Sequence, residues 1–456
     1  MIAEIEAARE ALRHCRPVAV SGRVVQAVGL LAEAEGLPAP VGSLCAVGRG
    51  AHLAEVVGFR GARLLLMAVE RLEGVELGDP VTLLTTRQGI RVGPGLLGRV
   101  IDAQGRPLDG GAPVPGERWM PLHQEPPEAL SRPRISTPLG TGIRAIDGLI
   151  TVGKGQRMGI FSGSGVGKSV LMGMICRNTD APLNVVALIG ERGREVREFV
   201  ERDLGPEGLA RSVVVVATGE QSPVLRLRAA LAATAIAEYF RDLGRDVLLM
   251  MDSVTRIAYA QREIGLSAGE PPATKGYPPS VYSLLPKLLE RAGLSAKGSI
   301  TGLYTVLVEA DDVNEPIADA ARSILDGHIW LSRRLANRGH YPAIDPLESV
   351  SRVMPDVVAD AHLKDALEAR GLLATYQENE DLINLGAYVR GANPRVDRAI
   401  ALIEPFRTYL RQGMRDRATF QDAVQGLHQT LATPLPAPPR PESVRAAPRP
   451  AGEVRT

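Results

Sequence analysis

Residues 162–169, Ser162-Gly163-Ser164-Gly165-Val166-Gly167-Lys168-Ser169, constrain this chain more than any other stretch. The apolar run Met158–Phe161 leads into them, and Val170, Leu171, Met172, Met174 and Ile175 follow at helical spacing. A buried strand, a glycine-rich turn and a helix start are what a phosphate-cradling loop needs. Glycines let the backbone turn and approach an anion, so that successive N–H groups point inward. The helix N-terminus adds its partial positive charge. Lys168 can then reach the β- and γ-phosphates, and Ser169 offers a hydroxyl to Mg²⁺. The stretch departs from the pattern G-x-x-x-x-G-K-[ST] at one place, where Ser162 stands for the first glycine. A small residue still fits a strand-to-loop bend. Residues Ser164, Gly165, Val166, Gly167, Lys168, Ser169 and Val170 therefore form a candidate nucleoside triphosphate site.

Composition narrows what surrounds that loop. At 456 residues the chain can hold two to four domains, each with a core of its own. A net charge of +1 gives no global field for nucleic acid, and aromatics at 4% leave few platforms for stacking bases. No nucleic-acid partner is expected. Cys15, Cys45 and Cys176 are scattered without metal-ligand spacing, which suggests reduced thiols in a cytoplasmic protein. The first residues are acidic and lack the apolar stretch of a signal peptide. The most apolar runs are strand-length, far short of the roughly 20 residues that span a bilayer.

Along the chain, Ile2, Ile5, Ala8 and Leu12 share one helical face, either packed on the core or docked on a partner. From Val18 to about Leu84, short β-type runs broken by glycines suggest a small barrel. A proline-studded, extended segment then runs to Pro138, too long and too apolar for a free linker. Continuous apolar runs at Met158–Phe161, Asn184–Ile189, Ser212–Ala217, Val247–Asp252 and Leu303–Val308 alternate with helical patterns. One of these patterns opens at Val224 and continues to about Leu243. That alternation indicates a parallel sheet covered on both faces. Beyond Met354, residues 360–369 and 387–412 read as helices, with more helix to about Leu431. The tail, rich in Pro, Ala and Arg, cannot build a core.

A phosphate loop alone fits a kinase, a GTPase or a motor. Val247–Asp252 adds a buried strand ending in a carboxylate, and Asp252 is placed to hold a Mg²⁺ shell through water. Gly190-Glu191-Arg192-Gly193-Arg194-Glu195 follows the next strand after the loop. A glutamate at a strand's carboxyl end lies on the ligand side of an open α/β sheet, where Glu191 can polarise an attacking water.

These motifs, with Gly95–Asp102, Asp252-Ser253-Val254-Thr255-Arg256, residues 269–280, Tyr341-Pro342-Ala343-Ile344-Asp345-Pro346 and Ser349–Val353, resemble the rotary-ATPase-like hexameric family from about residue 18 to 430. Within it, the spelling Ser164-Gly165-Val166-Gly167-Lys168-Ser169-Val170-Leu171 is similar to the flagellar type III export ATPases. Injectisome ATPases more often carry an alanine-rich loop there. The resemblance implies an α/β fold, a RecA-like P-loop core with a small N-terminal β-barrel and a C-terminal helical domain. The divisions would be a helix over 1–17, the barrel over 18–88, the ATPase domain over 89–353, helices over 354–433 and a disordered tail over 434–456.

The same resemblance assigns roles. Glu191 becomes the catalytic glutamate, Lys168 and Ser169 the phosphate and Mg²⁺ contacts, and Asp252 the Walker B acid. Tyr341 becomes an aromatic packed on adenine, Arg192 an arginine near the γ-phosphate, and Arg352 a finger reaching a neighbouring subunit's nucleotide. Without the resemblance, Tyr341 reads as core and Arg352 as an interface arginine. The implied cofactors are ATP and Mg²⁺. The implied partners are further copies in a homohexamer, a stator-like regulator, a coiled-coil stalk protein, export chaperones with their substrates, and a membrane export gate on whose cytoplasmic side the protein would sit peripherally. An injectisome ATPase, the catalytic subunit of a rotary ATP synthase or vacuolar-type ATPase, and a hexameric RNA helicase are the competing readings.

Overall fold

The computed structural model describes residues 20–308 and 315–434. The helix expected over 2–15 and nearly all of the Pro-rich tail lie outside the described residues.

Six strands, β1 (Ser21–Val28), β2 (Leu31–Glu35), β3 (Leu44–Val47), β4 (His52–Arg60), β5 (Arg63–Ala68) and β6 (Pro80–Thr85), form a closed barrel. The order is β1-β2-β5-β4-β3-β6, and β6 pairs back onto β1. Val24, Ala34, Cys45, Val47, Val56, Leu66 and Val81 fill its interior. Closure leaves no strand edge unpaired, which lets such short strands persist.

The extended segment after the barrel is tied down, as its length and apolar content required. Gly89–Val92 pairs antiparallel with Arg118–Pro121, and Met120 and Leu122 are buried. The carbonyl of Leu122 accepts a hydrogen bond from Arg291 Nη1 at 2.7 Å, and Arg132 donates to the Glu290 carbonyl at 2.8 Å.

The central sheet is built from β7 (Val100–Asp102), β8 (Arg157–Ser162), β9 (Leu183–Ile189), β10 (Ser212–Ala217), β11 (Asp246–Asp252), β12 (Ser299–Leu307), β13 (Gly327–Leu331) and β14 (Ile344–Ser351). Its order is β14-β13-β8-β12-β11-β9-β10-β7, parallel throughout except where β14 joins β13. A two-residue strand, Gly293–Leu294, pairs antiparallel with β12. Both faces are covered. Val185, Ala187 and Ile189 of β9 enter one apolar cluster, and Val186 and Leu188 enter the other. Burial on two sides is why these strands read as unbroken apolar runs rather than alternating ones.

Strands β8, β9, β10 and β11 stand within a residue of where the apolar runs placed them. Strand β12 begins at Ser299, earlier than the expected Leu303, because Thr301 and Gly302 interrupt the apolar run yet pair in the middle of the sheet. Strand β7 had no periodic signal at three residues.

Among the helices around the sheet are α1 (Lys168–Asn178), α2 (Pro223–Asp242), α3 (Val254–Ala268) and the short α4 (Arg333–Asn337). Helix α2 starts where Ser222 caps it, its side chain accepting from the Leu225 N–H, with Pro223 in the first turn. Its small Ala229, Ala230, Ala232, Ala233, Ala235 and Ala237 are buried, which allows close packing on the sheet. Glu238 of α2 pairs bidentately with Arg291 at 2.8 and 2.6 Å, both side chains 2% exposed.

Three further helices, α5 (Asp360–Asn384), α6 (Pro394–Leu410) and α7 (Phe420–Leu431), follow the sheet. Two expectations need correction here. Helix α5 runs fifteen residues past Ala369, through Gly371, because Leu372 is buried against its neighbours and outweighs one glycine. Helix α6 starts at Pro394 rather than 387, since Asn393 caps it and Pro394 fits only its first turn. Helix α7 opens with a capping box between Thr419 and Asp422.

Candidate nucleotide site

Strand β8 delivers Ser162 to the loop, and α1 takes over at Lys168. Gly165 and Gly167 have φ of 76° and 91°, a region that favours glycine. Ser162 is buried and belongs to the strand, with no positive φ, so that position has no need of glycine. A cavity of about 690 Å³ opens over the loop, bordered by Ser164, Gly165, Gly167, Lys168, Ser169 and Val170. Glu191, Arg192, Arg256 and Arg333 also border it.

Beneath it, the Lys168 ammonium contacts Asp252 Oδ1 and stands 3.6 Å from Glu191 Oε1. Topology explains the meeting: β12 lies between β8 and β11, and β9 is the next strand out, so three strand ends converge. Asp252 Oδ1 also accepts from Thr305 Oγ1 at 2.6 Å. Burial disfavours the Lys168 ammonium, but Asp252 and Glu191 outweigh that and hold its pKa above the ordinary lysine value. Glu191 is pushed up to about 7, first by burial and then by the charge of Asp252, while Lys168 opposes the rise. Glu195 shares a hydrogen bond with Glu191, and its own pKa falls as the proton stays on Glu191.

A second cavity, about 390 Å³, lies on the other side of the glycine loop. Val166, Leu171, Met174, Leu331, Tyr341 and Met414 wall it, and a Cβ placed on Gly167 would stand 3.4 Å from the Tyr341 ring. Tyr341 is 46% exposed, so it is no core residue. An apolar slot beside a phosphate loop can take a flat base.

Two residues stand apart from this arrangement. Arg192 borders the larger cavity with its side chain 82% exposed, 3.7 Å from Glu195. Arg352 follows the end of β14, donates to the Leu325 carbonyl at 3.2 Å, and lines neither cavity of its own chain. Sequence reasoning missed Arg333, whose Nη1 donates to the Ser164 carbonyl at 3.0 Å, and Thr305 beside Asp252. Neither carries a motif; only the sheet order brings them in. Glu195 had a signal, its place four residues after Glu191.

Fold and site together define a P-loop ATPase whose core matches the model of the ATP synthase alpha/beta family nucleotide-binding domain over residues 142–351. Residues 358–429 match the C-terminal domain of the type III secretion ATPase EscN. The flagellum-specific ATP synthase of Bacillus subtilis is 53% identical over 411 residues, covering 89% of this chain and 94% of that protein. That of Salmonella typhimurium is 51% identical, covering 90% and 94%. The assembled EscN ATPase of enteropathogenic E. coli has a TM-score of 0.87 at 46% identity, covering 90% of this chain and all of that one. The chain belongs to the family of the flagellum-specific ATP synthases, the ATPases of type III export. Among the described residues no helix is long and apolar enough to cross a membrane.

Proposed function

We propose that this ATPase energises flagellar protein export, with the nucleotide held as the two cavities suggest. The observation that carries the reading is Lys168 set between Asp252 and Glu191 beneath a left-handed glycine loop. Lys168 and the loop N–H groups bind the phosphates, Tyr341 and Val166 receive the adenine, and Glu191 accepts a proton from the attacking water. The donor set fits Mg²⁺: the Ser169 hydroxyl and the Asp252 carboxylate are hard oxygens, and they are the residues that would hold it. When bound, the ion neutralises charge on the phosphate oxygens. Lys168 would leave Asp252 as it turns to the phosphates.

Arg352, outside both cavities of its own chain, supports a finger supplied to the next copy, hence a homohexamer with shared sites. A relative is described as assembled, and in another structure as bound to its central stalk, EscO. By that likeness this chain would take a coiled-coil stalk protein. A stator-like regulator, export chaperones with their substrates, and a membrane export gate complete the proposal, with the protein peripheral on the cytoplasmic face. The ATPase rate of the purified chain against its concentration tests assembly: a steep rise is expected, and a constant specific activity down to monomer concentrations would remove the shared site.

An injectisome role is the second reading, favoured by the EscN-type C-terminal domain over residues 358–429 and by a 48% identical type 3 secretion ATPase from Xanthomonas euvesicatoria. Restored swimming in a bacterium lacking its flagellar export ATPase separates the two.

A further inference from the structure

A third cavity, also about 390 Å³, lies where α4 and β14 meet α5 and α6. Its apolar wall is Leu335, Ile344, Leu347, Leu373, Ile403 and Leu410. Four guanidinium groups border it, those of Arg334, Arg338, Arg407 and Arg411, against the two carboxylates of Asp345 and Glu380. Both carboxylates are engaged. Asp345 accepts from the Leu347 and Glu348 N–H groups, and Glu380 is shared by Arg338 at 3.1 Å and Arg334 at 4.0 Å. Arg407 pairs with Glu404 and lies over the Tyr376 ring. Among the described residues, the Arg411 guanidinium has no ion pair or hydrogen bond of its own. His340, 5% exposed, lines the same cavity, and its Nε2 is buried without a hydrogen-bond partner.

An apolar chamber with surplus positive charge and an unpartnered buried imidazole is built for a ligand of opposite character. Water satisfies an open guanidinium but gains nothing from six aliphatic walls. A purely apolar ligand would fill the chamber and leave Arg411, exposed at its rim, without a charge partner. We propose that this cavity binds an organic carboxylate on an aliphatic body, its two oxygens facing Arg411 and its chain covering Leu373, Ile403 and Leu410.

The position gives such a ligand something to act on. His340 and Ile344 face this cavity, whereas Tyr341, Pro342 and Ala343, the residues between them, face the slot beside the glycine loop. Leu410 and Arg411 likewise face this cavity, and Gln412, Gly413 and Met414 face the slot. The two segments are joined where the Gln412 N–H donates to the Tyr341 carbonyl at 2.9 Å. A ligand that shifts either segment therefore moves a wall of the slot, and alters the grip on nucleotide. This coupling rests on reading the slot as the adenine's; binding of the carboxylate does not.

The two are measured separately on the full chain. Calorimetry without nucleotide uses decanoate as the probe, with uncharged decanol as its counterpart. One site is expected, with decanol bound about tenfold more weakly, a loss of about tenfold in Arg411→Ala, and recovery in Arg411→Lys. Ile403→Trp, which fills the chamber, should abolish binding while the variant keeps its helical circular dichroism. Equal affinity for decanoate and decanol overturns the proposal, and so does decanoate binding that survives both Arg411→Ala and Ile403→Trp. Saturating decanoate should then change the Kd of a fluorescent ADP analogue about threefold or more; an unchanged Kd overturns the coupling.

Discussion

The ammonium of Lys168 and the carboxylate of Asp252 are in direct contact beneath the glycine loop, one from the start of α1 that follows β8, the other from the end of β11, two strands that are not neighbours in the sheet. Asp252 is buried and the Lys168 side chain is 12% exposed, and each is the other's main compensation. Lys168→Ala leaves Asp252 beside Glu191 with, among the described residues, only the Thr305 side chain donating to it. ATP binding should weaken by at least about thirtyfold, since a buried hydrogen-bonded charge partner is worth roughly 2–5 kcal/mol. Equilibrium binding of a fluorescent nucleotide checks this.

Glu191 carries a pH signature. Its folded pKa of about 7 lies above the ordinary glutamate value, so burying its charge costs stability above pH 7 and costs nothing below the unfolded pKa. Glu191→Gln should therefore raise the melting temperature of the nucleotide-free chain at pH 8, by on the order of 2–4 °C, and the gain should vanish towards pH 4.5. In turnover the same group must be ionised to accept a proton. The rate should fall as pH drops through 7, and Glu191→Gln should bind ATP yet hydrolyse it at a background rate. Rapid turnover in that variant removes Glu191 from the chemistry.

The Arg352 side chain donates a hydrogen bond to the Leu325 carbonyl and lines neither nucleotide cavity. Arg352→Ala should keep nucleotide affinity within about twofold and lower the concentration-dependent ATPase rate by about a thousandfold. Mixing it with Lys168→Ala chains should restore part of the rate, because each variant supplies what the other lacks. No recovery on mixing argues against a site shared between copies.

Tyr341 should act through its ring rather than its hydroxyl. Tyr341→Phe is expected to bind ADP as the parent does, and Tyr341→Ala about tenfold more weakly, in line with roughly 0.5–1.5 kcal/mol for an aromatic pair. Isothermal titration separates the two outcomes.

Glu238 and Arg291 form a fully buried bidentate pair. Glu238→Ala strands the guanidinium, and should cost about 3–5 kcal/mol in chemical denaturation. The double variant with Arg291→Met should recover much of it, as two apolar groups need no partner.

What could be read from the chain follows from what each signal depends on. The phosphate loop, Glu191 and Asp252 sit at ends of strands buried on both faces, and burial on both faces writes itself as an unbroken apolar run. The glycines at 165 and 167 are required by local backbone geometry, so they too are visible locally. Arg333 and Thr305 were invisible because their places depend on sheet order alone. Helix α5 outruns the expected 360–369 because it passes Gly371, a poor helix former, and the packing of Leu372 that overrides this is tertiary. Tyr341 could not be told from core by its type; its exposure depends on the turn after α4.

Strand β7 is three residues long, yet it lies along β10, pairing Val100, Ile101 and Asp102 with Val214, Val215 and Val216. Without it, a run of four valines would form the bare rim of the sheet, a surface on which other chains could stack in register. The cover comes from upstream of the glycine loop, from the stretch that links barrel to sheet. A fragment cut to begin at the loop would lose this guard and should precipitate, whereas one beginning before Gly98 should stay dispersed. A few residues with no part in the chemistry thus govern whether the enzyme core can be handled in solution at all.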